Sequence, residues 1–323
     1  MLVVSVQCTN TEVRSNSGYS KELFSSHFIE NKIWDNGKAE ISYYLLRRID
    51  TLYVGTDFHI TEHVDTFEIS IVKNQYNLKD LKKSIGDNEN SVQVFSMIQR
   101  RLKGPLYTGQ SKSSSVQLIR ENLRPIKASI LEHSLEGNSF HEIRFRDGLV
   151  EQLSIGDGMK KFDGSYPITK NYYALEEIPL IVRSLNFEKD SIFVLPFITI
   201  QFDRSLIAKA LTGDFRFQVE ITNLGEKMLS KADSTVLVDK IQVKYPEDVF
   251  PPTKVLGHMI PSSEIYFISK YNRRQIVRIV STPGVFRRHK VRVKSSYSME
   301  LLGSSFMDWW NYGENSYLKH HLN

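Results

Sequence analysis

Cysteine is almost absent from this chain: Cys8 is the single one in 323 residues. That excludes an internal disulfide framework and any zinc site built on several thiolates. No run approaches the ~18 consecutive apolar residues of a membrane-spanning helix. The glycine spacing of a phosphate loop is missing, with no Gly-x-Gly-x-x-Gly and no Gly-Lys-Ser/Thr after a strand. There is no Gly-x-Ser-x-Gly for a serine nucleophile. What is present is the composition of a folded chain, 41% hydrophobic and 24% charged. Disorder is therefore excluded as the overall description. A chain of this length forms one large or two ordinary domains.

Most of the chain reads with period 2, the alternation of strands. Phe67, Ile69 and Ile71 share one face, as do Phe215, Phe217, Val219 and Ile221. Ser91–Ile98, Phe140–Arg146, Leu149–Ile155, Ser234–Tyr245, Glu264–Ser269 and Gln275–Val280 continue the pattern. Asp147-Gly148 between two such runs predicts a hairpin with a type I′ turn. One-sided alternation suits an antiparallel sheet with one face on a core. The fold class expected is mainly β, a curved antiparallel sheet with one or two short helices.

Asn171–Leu185 is the helix candidate, with Leu175, Ile178, Val182 and Leu185 at helical spacing and Asn171 as its cap. Pro179 inside it predicts a kink or two half-helices. Ile192–Phe202 is a near-continuous apolar run holding Pro196, hence a buried strand or an edge strand. Arg204–Leu211 predicts a helical turn or two. Lys79–Asn90, Gly104–Ser115, Gly156–Pro167 and Pro246–Pro261 read as connections. The expected organisation is a truncated signal and tether (1–20), an N-terminal β region (21–155) and a C-terminal β region (156–303). The two β regions pack as one unit, and an aromatic tail (304–323) follows.

The apolar stub Met1–Val6 leads to Cys8 and then to a polar run, Thr9–Gly18. This resembles the end of a bacterial lipoprotein signal peptide, which implies lipidation of Cys8. The stub is shorter than the 7–15 residues of a signal core and has no basic residues before it. Two stretches are similar to an uncharacterised family of bacterial envelope proteins, a domain of unknown function rich in predicted lipoproteins. The first is Trp34-Asp-Asn-Gly-Lys-Ala-Glu-Ile41-Ser-Tyr-Tyr-Leu45. The second is the succession from Tyr172 to Gly284, with Arg183-Ser-Leu185, the Phe215–Ile221 strand, Glu264–Lys270 and Arg274–Ile279. The resemblance implies a half-barrel around a helix, like that of lipoprotein-carrier proteins, and implies no catalytic residue. It points to a non-enzymatic envelope or periplasmic lipoprotein that needs no cofactor. Its partner would be a lipid or another envelope protein, bound in the concavity of the sheet.

Two groups of residues are candidates for other functions. His59-Ile-Thr-Glu62-His63 fits the His-x-x-Glu-His spacing of a zinc hydrolase. The flanking residues read as strand, where His59 and His63 would lie about 13 Å apart at roughly 3.3 Å per residue, too far for one ion. Lys270–Lys294 holds nine basic residues and no acid, leaving the rest of the chain at −4 within a net charge of +5. Arg273, Arg274, Arg278, Arg287, Arg288, Lys290, Arg292 and Lys294 are its candidate anion-binding residues. An anionic envelope surface is one partner for them, and a nucleic acid in a cytoplasmic setting is another. Only Tyr271 and Phe286 are there to stack on bases. The remaining reading is a solvated face balanced by acids from elsewhere in the fold.

Overall fold

The computed structural model describes residues 13–15, 21–54, 56–84, 89–102, 111–134, 137–156, 159–168, 171–187, 191–199, 217–231, 234–246, 254–255, 258–259, 262–271, 273–288 and 291–308. Its strands in chain order are β1 (Val13–Ser15), β2 (Ala39–Val54), β3 (Asp57–Asn77), β4 (Lys82–Lys83), β5 (Ser91–Leu102), β6 (Ser111–Ile119) and β7 (Pro125–Ser134). There follow β8 (Gly137–Arg146), β9 (Leu149–Gly156), β10 (Met159–Pro167), β11 (Tyr173–Ala174), β12 (Ile192–Ile198), β13 (Gln218–Lys231) and β14 (Ser234–Lys244). The last are β15 (Lys254–Val255), β16 (His258–Met259), β17 (Ser263–Ser269), β18 (Ile276–Ser281), β19 (Gly284–Arg288) and β20 (Val291–Met307). The helices are α1 (Ser26–Ile29) and α2 (Ile178–Ser184).

One curved sheet holds almost all of these strands. Its order runs β10–β9–β8–β7–β6–β5–β3–β2–β20–β18–β17–β14–β13–β12, each pair antiparallel. The first long strand therefore zips to the last, Ala39 opposite Met307 and Val54 opposite Val291. No pairing among the described residues joins β10 to the β12 end, so the sheet stays unclosed.

Local sequence explains several joints. Gly37, at φ +74, turns the chain from the Lys32–Asp35 3₁₀ turn into β2. Asp147-Gly148 does make the β8–β9 hairpin, with Arg146 opposite Leu149. Only Gly148 takes positive φ, however, so the expected type I′ turn does not form. Pro196 lies inside the sheet. The Phe197 N–H donates to Phe217 on the β13 side, so alternation turns the Pro196 nitrogen the other way. There it falls between β1, which reaches Val194, and β11, which begins at Phe197. No ladder donor is missed.

The helix is shorter than the sequence predicts. Tyr173 and Ala174 pair as strand, Leu175–Glu177 is a 3₁₀ turn, and α2 starts at Ile178. Pro179 thus sits in the first turn, where its missing N–H costs nothing and no kink follows. Met159–Pro167, expected as a connection, is strand, and so is Ser111–Ser115. In both, pairing with neighbouring strands overrides the turn-forming composition. The Arg204–Leu211 turn, Cys8 and Trp309–Tyr312 lie outside the described residues.

The depth of the concave side is filled. All seven residues of α2 are buried, and Phe28, Ile29 and Trp34 pack into the same apolar cluster. That cluster takes residues from both halves of the chain, from Leu23 to Met299. Burying Ile178, Leu180, Ile181 and Val182 stabilises the fold by roughly 1.5–3 kcal/mol each. One free carbonyl of the helix end is taken up by the N-terminal segment, the Ser25 N–H donating to the Ser184 carbonyl at 2.7 Å.

Candidate functional site

His59, Glu62 and His63 all lie on β3, so the helix a zinc motif needs is not formed. Alternation puts Glu62 on the face opposite the two histidines. Glu62 pairs with Arg47 at 3.4 Å, and His63 Nε2 lies 3.4 Å from Asp50. Among the described residues no group of three His, Cys, Asp or Glu side chains could hold a metal ion.

Three basic residues of the segment are balanced from outside it. Lys270 pairs with Glu226 and, at 3.9 Å, with Asp239. Arg274 lies 3.8 Å from Asp239, and burial pushes its guanidinium down from its ordinary value. Arg278 meets Glu300 at 3.4 Å. Arg273 lies over the Phe306 ring, 4.8 Å from its centroid. Arg287, Arg288 and Arg292 fall in the β19–β20 hairpin, where Arg287 opposes Arg292. Lys294 is exposed on β20, and Lys290 lies outside the described residues. Within 270–278, Lys270, Arg274 and Arg278 thus meet acids from other strands, and the side chains of Arg287, Arg288 and Arg292 lie outside the described ones.

The sequence did not single out the polar band on the concave face. Core residues Met97 and Val116 oppose each other, so positions two and four residues further along also face inward. Those positions are Gln99 and Arg101 on β5, with Ser114 and Lys112 on β6. The register carries the row on to Glu132 opposite Lys112, and His141, opposite Ile130 and Ser154, shares the same face one position along. Across β3 and β2 it continues through Asp65, His63, Arg48 and Asp50. Arg101 Nε donates to Asp65 at 2.9 Å, Lys112 meets Glu132 at 3.4 Å, and His141 Nδ1 lies 3.0 Å from Ser154 Oγ. Burial, with the Lys112 charge beside it, pushes the His141 imidazole below its ordinary range. Arg48 meets Asp50 at 3.0 Å, and Ser295 donates to the same carboxylate at 2.6 Å. Gln99 reaches across to the Glu176 carbonyl at 2.6 Å, tying the band to the filling segment. The band offers donors and acceptors in matched pairs at the open end of the concavity. It was hidden because its members come from seven strands, each contributing one or two unremarkable polar residues.

A second polar group gathers on the buried Glu264. Glu264 accepts hydrogen bonds from Tyr245 at 2.6 Å, Tyr266 at 2.7 Å and Tyr297. Burial and the Glu264 charge push all three hydroxyls well above the ordinary tyrosine value. Near α1, Arg120 donates to the Ile29 carbonyl at 2.7 Å and to Asp35 at 2.8 Å. Arg120 also lines a surface groove of about 450 Å³ with Glu30, Gln93 and Glu121. Lys73 and Arg120 hold the Asp35 carboxyl below the usual range, against a smaller upward push from burial.

Sheet, filling helix and rim define an unclosed, barrel-like antiparallel β protein. No protein-family model matches the chain, and no curated protein matches it. Among solved structures it is similar to a beta-barrel-like protein of domain of unknown function DUF1849 from Brucella abortus. The TM-score is 0.38 at 10% identity, over 84% of this chain and 98% of the other. It is also similar to a DUF1329 family protein from Desulfovibrio piger, with a TM-score of 0.23 at 8% identity, over 90% and 95% of the two chains.

Proposed function

We propose that this chain is a non-enzymatic cell-envelope lipoprotein, anchored through Cys8, that binds a ligand or partner protein at the open end of its concave sheet. The observation that carries the reading is the inner polar band, in which Asp65–Arg101, Lys112–Glu132 and His141–Ser154 are aligned on one face. The depth of the concavity is taken by α2 and the segment around Trp34. That favours a polar ligand or protein surface met at the rim over an acyl chain enclosed within. The matched charges suit recognition, because complementary potentials fix the register of a partner.

Two measurements test the proposal. Expression from the native gene with its upstream DNA and labelled palmitate should place label on the chain and lose it in Cys8→Ser. An unlabelled chain that retains Met1 would overturn the anchoring. A photo-crosslinking residue in place of Glu132 should capture a discrete partner in intact cells, while the same residue at Lys240 on β14 should not. Equal capture from both positions would overturn the assignment to the band.

A further inference from the structure

The β2–β3 hairpin runs on well past the core. Leu46 is buried and opposes Asp65, while Val54 and Asp57 close the ribbon eight residues further on, about 25 Å away at roughly 3.3 Å per residue. Along this extension β3 pairs with β2 alone among the described residues, because its pairing with β5 begins only at Thr66. The face turned away from the concavity carries Ile49 on β2 and Phe58, Ile60 and Val64 on β3. These are exposed by 45%, 60%, 64% and 49% respectively. Isolated exposed aliphatics are ordinary, but four on one face of a projecting ribbon form a patch.

The same cross-strand rows end in basic residues. Ile60 opposes Thr51, which opposes Lys294; Phe58 opposes Tyr53, which opposes Arg292; and Arg292 opposes Arg287 on β19. With strands about 4.8 Å apart, the apolar and basic columns lie about 10 Å from each other. Glu62 is the acid on this face of the ribbon, and Arg47 neutralises it at 3.4 Å. An apolar column that projects beyond the core, flanked by the exposed Lys294 and by a hairpin whose sequence carries three arginines, matches a bilayer surface whose headgroups are anionic and whose acyl region lies just beneath them.

We infer that the tip of the β2–β3 ribbon, with the adjoining β19–β20 hairpin, is a docking surface for an anionic phospholipid bilayer. Phe58 and Ile60 enter the acyl boundary while Lys294 and the hairpin arginines meet the headgroups. This surface is separate from the inner band and from any lipid on Cys8.

The test uses the full chain carrying Cys8→Ser, so that no acyl group contributes and failure of the anchoring proposal stays distinguishable. Sedimentation is measured with vesicles of phosphatidylcholine alone and of an equal mixture of phosphatidylcholine and phosphatidylglycerol. Binding is expected to the mixed vesicles only and to weaken with added salt. Phe58→Ser with Ile60→Ser should lower the partition coefficient at least about tenfold, and Lys294→Ser about fivefold. Both variants should keep the parent's unfolding temperature, since the replaced side chains are exposed. Three results would overturn the inference: no binding to mixed vesicles, binding unchanged in the Phe58/Ile60 variant, or a parent dimer that this variant dissociates.

Discussion

Arg183 and Glu40 form a buried, two-pronged ion pair, Nη1 to Oε1 at 2.9 Å and Nη2 to Oε2 at 3.1 Å, that fastens the filling helix to the first long strand. Neither side chain is more than 4% exposed. Two further donors of Arg183 go to the Arg273 and Arg274 carbonyls at 2.7 and 2.8 Å. Its guanidinium also lies over the rings of Phe28 and Trp34. One residue thus ties α2, β2, the β17–β18 turn and the N-terminal aromatic group together.

Removing one member of that pair strands a charge in the core. Arg183→Met should cost about 3–5 kcal/mol of unfolding free energy, read as a lower urea midpoint. The double variant Arg183→Met with Glu40→Leu should recover part of the loss, because no unpaired charge remains. A double variant as unstable as the single one would mean that the bonds to Arg273 and Arg274 dominate.

Glu177 is buried beside Glu176, and loss of solvent pushes its carboxyl well above the ordinary value of 4.5. The folded state thus favours the neutral acid, whereas the unfolded chain ionises near that ordinary value. Its contribution to stability is intact below about pH 4.5 and falls as pH rises toward the raised folded value. In Glu177→Gln the amide oxygen still accepts the Ala174 N–H, which Glu177 now takes at 2.6 Å. The variant's unfolding temperature should therefore gain on the parent's between about pH 5 and about pH 7. Parallel pH profiles would refute this.

The three tyrosines on Glu264 make an alkaline prediction. Their folded values lie well above 10, so the unfolded chain releases these protons first, and stability falls as pH rises through about 10. Phenolate absorbance should show these hydroxyls silent until the chain unfolds. Glu264→Gln leaves one acceptor oxygen for three donors and should cost at least about 1–3 kcal/mol.

Zinc offers a fourth check. His59 and His63 share a strand face about 13 Å apart, so equilibrium dialysis should retain the same zinc in the parent as in a His59→Ala, His63→Ala variant. Stoichiometric metal lost in the variant would restore the hydrolase reading.

Local chemistry was legible in the sequence. Alternation marked the faces of β3, β13, β14, β17 and β18, and Asp147-Gly148 marked a hairpin, because side-chain period and turn sterics act over a few neighbouring residues. The charge of Lys270–Lys294 was legible too, but not its fate. Whether Arg278 meets Glu300, or Lys270 meets Glu226, depends on strands brought together from distant parts of the chain.

The sequence by itself determined a mainly β chain with a short helix near residue 180 and one concentrated basic run. The tertiary structure alone decided that β2 zips to β20, that α2 fills the concavity, and that single polar residues from seven strands align into one band. Those outcomes rest on register between segments as distant as Ala39 and Met307. A shift of one residue would turn every side chain to the other face, and the buried contacts that select the register form only once the whole sheet is assembled.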